Sequence, residues 1–244
     1  MVQPGSFSPS IFFVATTYII IPTLFVIYQI SQYYGHEKPF PHCWISKVAE
    51  HYPEFIFFRF ATISGAVFLI LGWMSNYFYL RSVAKERVFN IKKYHPEVGL
   101  VLGIMGALLL MGNTATIDTG RMNTKWHTTC ASNFFIFTLI AQAYNTVICT
   151  ILHQKTGALS QLNLYFKYFL LWLLLVQGML SINSTFWEDF ATLSPNSRSQ
   201  FLEWSLTATI IMGCYSIGLD CKKFKFVYEL SSHSGEQLIE ADMR

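Results

Sequence analysis

Six apolar runs alternate with short polar segments along this chain, and each run is long enough to cross a bilayer. A helix needs about 20 mostly apolar residues to span the hydrocarbon core. The pattern predicts spans near 10–30, 56–79, 98–116, 128–152, 162–182 and 201–219. The expected fold class is all-α: a polytopic, six-transmembrane-helix bundle in one domain, residues 1–220. Residues 221–244 read as a polar tail without enough apolar surface to fold, and so as disordered. Pro22 falls inside the first run and should kink its helix, which a bundle tolerates because neighbouring groups satisfy the freed carbonyl. Met1 to Ser10 carries no Lys or Arg, and no small-residue cleavage site follows the run. The first span therefore reads as a retained helix rather than a signal peptide.

Composition narrows the class further. Hydrophobic residues are 52% and charged residues 13%, with a mean hydropathy of +0.37, which leaves no room for a soluble domain. Aromatic residues such as Tyr77, Tyr79, Trp126, Tyr165, Phe166 and Trp204 collect near span ends, where interfacial belts place them. A net charge of +3 gives no reason to expect nucleic acid as a partner. Basic residues set the orientation. The second loop carries Arg81, Lys85, Arg87, Lys92 and Lys93, and Lys222, Lys223 and Lys225 follow the last span. The first, third and fifth loops are poorer in Lys and Arg, so both termini are expected in the cytoplasm. The Asn183-Ser184-Thr185 sequon then falls on the lumenal or outer side, close to the membrane surface. The basic second loop either sets topology alone or also meets anionic lipid head groups.

Five cysteines are too scattered for a disulfide framework. Cys43 has no obvious lumenal partner, and Cys221 reads either as a free thiol or as a palmitoylation site. In the third span, Gly99, Gly103, Gly106 and Ala107 clear one helix face for close packing. That face predicts a helix at the centre of the bundle, with dimerisation as the alternative.

Polar groups gather on one leaflet. Glu54 and Arg59 open the second span, Asn113 lies near the end of the third, His127 begins the fourth and Glu203 begins the sixth. The cytoplasmic halves of the spans show no comparable set. One reading makes these residues caps and interfacial anchors; Glu54 after Pro53 suits a helix start. Another makes Asn113, His127 and Glu203 one hydrogen-bonded cluster that meets a lipid head group, with His127 able to exchange protons near neutral pH. The histidines at 36, 42, 51 and 127 match no metal spacing, so no metal is expected. Above the cluster, residues 35–54 contain Pro39, Pro41 and Pro53, which restrict the segment to extended or turn conformations. Trp44 and Ile45 are apolar enough to lie back on the bundle, and the segment is expected to form an ordered lid.

The order of these residues resembles the DRAM (damage-regulated autophagy modulator) family within the wider Frag/DRAM/Sfk superfamily. The likeness rests on Gly35-His36, Pro39-Phe40-Pro41, Ile45-Ser46, Pro53-Glu54 with Phe57, then Asn113, His127, Glu203-Trp204 and Asp220. Lys47, where the family often has an acid, and Trp44, in place of Tyr, depart from the pattern. The resemblance implies six spans with cytoplasmic ends. It also implies residence in the lysosome, Golgi, endoplasmic reticulum or plasma membrane, and a role in autophagy, phosphoinositide-kinase organisation or GPI-anchor lipid remodelling. It carries over no catalytic residue and no cofactor.

Two functions compete on this reading. One is a non-enzymatic regulator with membrane lipids and membrane-protein or cytoplasmic partners. The alternative is a lipid-handling protein or enzyme of GPI-anchor remodelling. The chain has no Gly-rich phosphate loop, no Gly-x-Ser-x-Gly elbow and no His-Glu-x-x-His. A transporter is disfavoured by the lack of an inverted repeat or a midplane ionisable pair.

Overall fold

The computed structural model describes residues 5–87, 90–118, 121–122, 124–157, 159–182, 195–228 and 239–240. Among the described residues seven α-helices follow one another: α1 Ser10–Tyr34, α2 Ile45–Val48, α3 Glu54–Glu86, α4 Pro96–Ala115, α5 Thr124–Thr156, α6 Gln161–Ile182 and α7 Pro195–Asp220. All but the four-residue α2 are long and apolar enough to cross a membrane. The six long helices match the predicted runs, and α3 continues well past its apolar stretch. The extension is stabilised by packing, because Tyr79, Leu80, Val83 and Ala84 belong to a buried cluster with Ile148, Leu152, Cys221 and Phe224. Chain ends meet at one end of the bundle, where β1, Gly5–Phe7, pairs antiparallel with β4, Phe226–Tyr228. We call this the terminal end and the other the distal end. The residues placed in a free tail thus begin in order, with a 3₁₀ turn at Cys221–Lys223 and then β4, which also pairs with β5, Ile239–Glu240. The rest of the tail and the sequon at Asn183 lie outside the described residues.

Helix surfaces are sorted by the inverse of the soluble rule. Large apolar side chains such as Tyr18, Phe25, Phe60, Leu162, Trp172 and Met179 are exposed, as a lipid-facing surface requires. The buried faces carry small and polar groups, including Thr16, Thr62, Asn76, Thr114, Gln142, Asn145 and Ser216. Polar groups cannot hydrogen-bond to hydrocarbon, so they turn inward and find partners there. Thr16, Thr62 and Thr114 each donate to a carbonyl of their own helix, at 2.7–3.0 Å. Between helices, Asn76 donates to Asn145 at 2.8 Å and Gln142 donates to the Ile210 carbonyl at 2.8 Å.

The small-residue face of α4 has a specific partner. Gly103 lies flat against the Trp73 indole, Gly106 faces the Thr138 hydroxyl, and Gly99 faces the Tyr144 ring. Trp73 is itself buried and meets Phe13 edge to face, with ring centroids 6.0 Å apart. The expectation of a central helix needs correction. The α4 helix packs between α3 and α5, and its Val98, Val101, Met105 and Leu108 face outward. Close packing against two neighbours uses the glycine face without placing the helix in the middle. The α1 helix runs unbroken through Pro22.

Candidate functional site

The distal end is closed by the segment that links α1 to α3. Gly35 ends α1 in the left-handed region, φ +67°, and its N–H bonds back to Gln32, a helix stop that suits glycine. The chain then turns through Pro39, whose carbonyl accepts from the His42 N–H, and through Pro41, to reach α2. Cys43, Ile45, Ser46 and Val48 are buried, so this segment packs as part of the protein. Two side chains of α7 hold it. The Glu203 carboxylate accepts the Ile45 N–H at 2.9 Å, and the Trp204 indole N–H donates to the Cys43 carbonyl at 3.0 Å. The Trp204 ring also meets Tyr28 edge to face. Ile45 begins a helix, so its N–H has no intrahelical acceptor and a carboxylate there is favourable. Burial pushes the Cys43 thiol up to about 11, with the nearby Glu37 and Glu203 carboxylates adding to the effect.

A second set of groups pins the segment near Pro53. Glu54, the first residue of α3 after Pro53, is fully buried and contacts His36 Nδ1 through Oε1 at 2.7 Å. The His36 ring stacks on Tyr34 on one side and on His51 on the other. Arg59 donates to the Ile117 carbonyl at 2.8 Å and lies over the Phe55 ring. Ile117 begins the two-residue strand β2, Ile117–Asp118, which pairs with β3, Arg121–Met122.

The candidates therefore separate into local groups. Asn113 and His127 meet at the Asn113 backbone, which hydrogen-bonds His127 and whose carbonyl accepts from the Thr116 hydroxyl at 2.6 Å; that hydroxyl also sits 3.3 Å from His127 Nδ1. Glu203 bonds the backbone of the folded segment, and Glu54 and Arg59 have partners of their own. Asn113 and Glu203 nevertheless share one feature, a cavity of about 70 Å³ beneath α2. Its walls are mostly apolar and come from α1, α2, α3, α4, α5 and α7, with Ser46 at the α2 side. Asn113 Oδ1 is buried and has no hydrogen-bond partner among the described residues. Neither Arg59 nor His127 lines this space. Among the described residues, no three His, Cys, Asp or Glu side chains are grouped to hold a metal ion.

The terminal end holds a polar group that the sequence reading missed, and this corrects the view that those halves of the spans carry no comparable set. Lys167 of α6 and Asp220 of α7 form an ion pair at 3.1 Å, each side chain 3% exposed. Asn163 donates to Asp220 Oδ1 at 2.6 Å and to the Ser216 carbonyl at 2.8 Å; Lys167 also reaches the Ser216 hydroxyl at 3.3 Å. The Cys149 thiol of α5 lies 3.8 Å from the other Asp220 oxygen. The available signal was the matched four-residue spacing of Asn163 and Lys167 on one helix and Ser216 and Asp220 on the next. Cys221 is fully buried beside Asn76, and burial pushes its thiol up.

The family model described as Frag1/DRAM/Sfk1/Cwh43P N-terminal domain covers residues 8–224. No curated protein and no solved structure matches the chain.

Proposed function

The chain belongs to the Frag1/DRAM/Sfk1/Cwh43P family, and from that membership we propose that it is a multi-pass membrane regulator of the autophagy-modulator type, with a lipid-binding cavity at its distal end. Both termini lie in the cytoplasm on this reading, and the distal end faces a lumen or the exterior. Exposed Arg81, Lys85, Arg87, Lys155, Lys222 and Lys225 at the terminal end support that orientation. The membrane is that of the lysosome, Golgi or endoplasmic reticulum, or the plasma membrane. The partners are membrane lipids and membrane or cytoplasmic proteins.

One observation carries the choice of regulator over catalyst. Glu203, the acid at the cavity, is bonded to the Ile45 backbone, and its neighbour Trp204 is bonded to that of Cys43. These side chains hold a folded segment in place, whereas a general acid or base needs reach to a substrate proton. A second reading, GPI-anchor lipid remodelling, is favoured by the unpartnered Asn113 oxygen at the cavity.

Cells lacking the protein, rescued with wild type or with an Asn113→Ala, His127→Ala double variant, separate the two. The regulator reading expects autophagic flux to change on loss and to return with both forms. Unchanged flux on loss overturns it. Normal flux together with altered GPI-anchor lipid chains, restored by the wild type only, establishes remodelling instead.

A further inference from the structure

The cavity's lining is more specific than a general lipid site, and we propose that it takes the uncharged hydroxyl end of a membrane lipid. The inference rests on the lipid part of the function proposed above and names the class of lipid.

The argument is one of donors and acceptors. Inside a bilayer a polar group without a partner is costly, and an orphaned buried acceptor points to an occupant that donates. Asn113 Oδ1 is such an acceptor, and Asn113 lines the cavity. The second strong acceptor in the lining is the Glu203 carboxylate. The hydroxyls of Thr16 and Thr62, also in the lining, donate to carbonyls of their own helices at 3.0 and 2.7 Å. Among the described residues no cation lines the space. Arg59 is turned away to the Ile117 carbonyl and the Phe55 face, and Lys47 is paired with Glu50 at 2.9 Å.

A phosphate head group needs positive charge as well as donors, and here it would meet a carboxylate and an amide oxygen, with the neutral hydroxyls of Ser46 and Thr207 and no cation among the described residues to offset them. That excludes the anionic head group as the natural guest. A hydroxyl supplies the missing donor and brings an apolar body suited to Ile20, Leu24, Phe58, Leu110 and Ile210 in the walls. About 70 Å³ is several times the space one water needs and below that of an engineered cavity that accepts benzene. It therefore admits the hydroxyl and a few carbons, with the remainder of the lipid lying towards the bilayer. Diacylglycerol and sterol both present this chemistry.

The test uses the full-length protein in nanodiscs with photoactivatable, clickable diacylglycerol and, separately, sterol probes. Unlabelled hydroxyl lipid competes against its own O-methyl ether, which keeps the shape and removes the donor. The expected result is labelling of α4 and α7 peptides, blocked by the hydroxyl lipid at about tenfold lower concentration than by the ether. The probe that behaves this way identifies the source. Asn113→Leu is expected to erase the difference between hydroxyl and ether; if that variant does not fold, the wild-type comparison stands alone. Equal competition by the ether overturns the proposal. So does better competition by phosphatidic acid or sphingosine, or labelling confined to α6, which contributes nothing to the lining. This readout is independent of flux: failure here with flux rescued removes the lipid class and leaves the regulator in place.

Discussion

The two ends of the bundle both bury polar side chains, yet they resolve them differently. At the terminal end the charged groups find one another: Lys167, Asp220, Asn163 and Ser216 form a network between α6 and α7, continued towards α5 by Cys149, with Asn163 Oδ1 alone left without a partner among the described residues. At the distal end Glu203 and Trp204 bind the backbone of a connecting segment, and Asn113 Oδ1 is left unmatched beside a cavity. A network whose members pair internally fastens helices. A polar lining that leaves an acceptor open has capacity for something else. Neither buried position nor an open acceptor alone separates structural from binding groups, since Asn163 Oδ1 is open as well; an open acceptor on a residue that lines a cavity does.

The largest effect that can break this comparison comes from the ion pair. Lys167→Leu leaves a buried carboxylate without its counter-charge, and the expected loss of stability is about 3–5 kcal/mol. The Lys167→Leu, Asp220→Leu double variant removes both charges and is expected to recover most of it. Thermal unfolding in a mild detergent reads both, and a double variant no better than the single would show that the pair is not the fastening.

Next comes the packing control. Gly103→Val forces a branched side chain into the Trp73 indole, and overpacking of this kind costs about 1–3 kcal/mol. The same unfolding assay should show a lower midpoint with lipid recovery unchanged. An unshifted midpoint would mean that α4 and α3 separate more easily than their contact implies.

The distal latch predicts a change in reactivity. Cys43 is fully buried, and its thiol, held up to about 11 by burial and by the Glu37 and Glu203 carboxylates, is almost wholly protonated at pH 7.5. The thiolate, not the thiol, attacks maleimide. Wild-type labelling should therefore be slow at pH 7.5 and should rise with pH up to the thiol's pKa. Glu203→Ala removes one nearby charge and releases the Ile45 N–H, so labelling at pH 7.5 is expected to quicken by at least about tenfold. Equal rates in both proteins would show that the segment does not depend on Glu203. The smallest effect concerns Cys221. Its burial and raised thiol argue against S-acylation, so acyl exchange should report no lipid there, and Cys221→Ser should leave membrane association as it is.

Much of the fold could be read from the chain because a membrane span announces itself by length and apolarity. The six runs match six long helices, and the family resemblance at the superfamily level holds over residues 8–224. Helix ends were harder. The α3 helix continues to Glu86 because tertiary packing, not hydropathy, stabilises its last turns. The site was partly legible. Polar residues at span ends, such as Asn113 and Glu203, stand out against apolar neighbours, and the prolines of residues 39–53 mark a segment that is not free coil. What Glu203 binds is a backbone N–H 158 residues away, and no side-chain pattern encodes that. Lys167 has aromatic and apolar neighbours along the chain, and nothing local marks it as half of an ion pair. Its partner, Asp220, comes from another helix and is found only once α6 and α7 are packed.

The most direct test of the division of labour measures stability and bound lipid side by side in Asn113→Leu and Asp220→Asn. The account predicts opposite phenotypes. Asn113→Leu should keep its unfolding midpoint within about 2 °C of wild type and lose the copurifying hydroxyl lipid. Asp220→Asn should unfold roughly 10 °C lower and retain that lipid. A midpoint that falls equally in both variants, with the lipid kept in both, would contradict it and make the distal end a fastening like the terminal one.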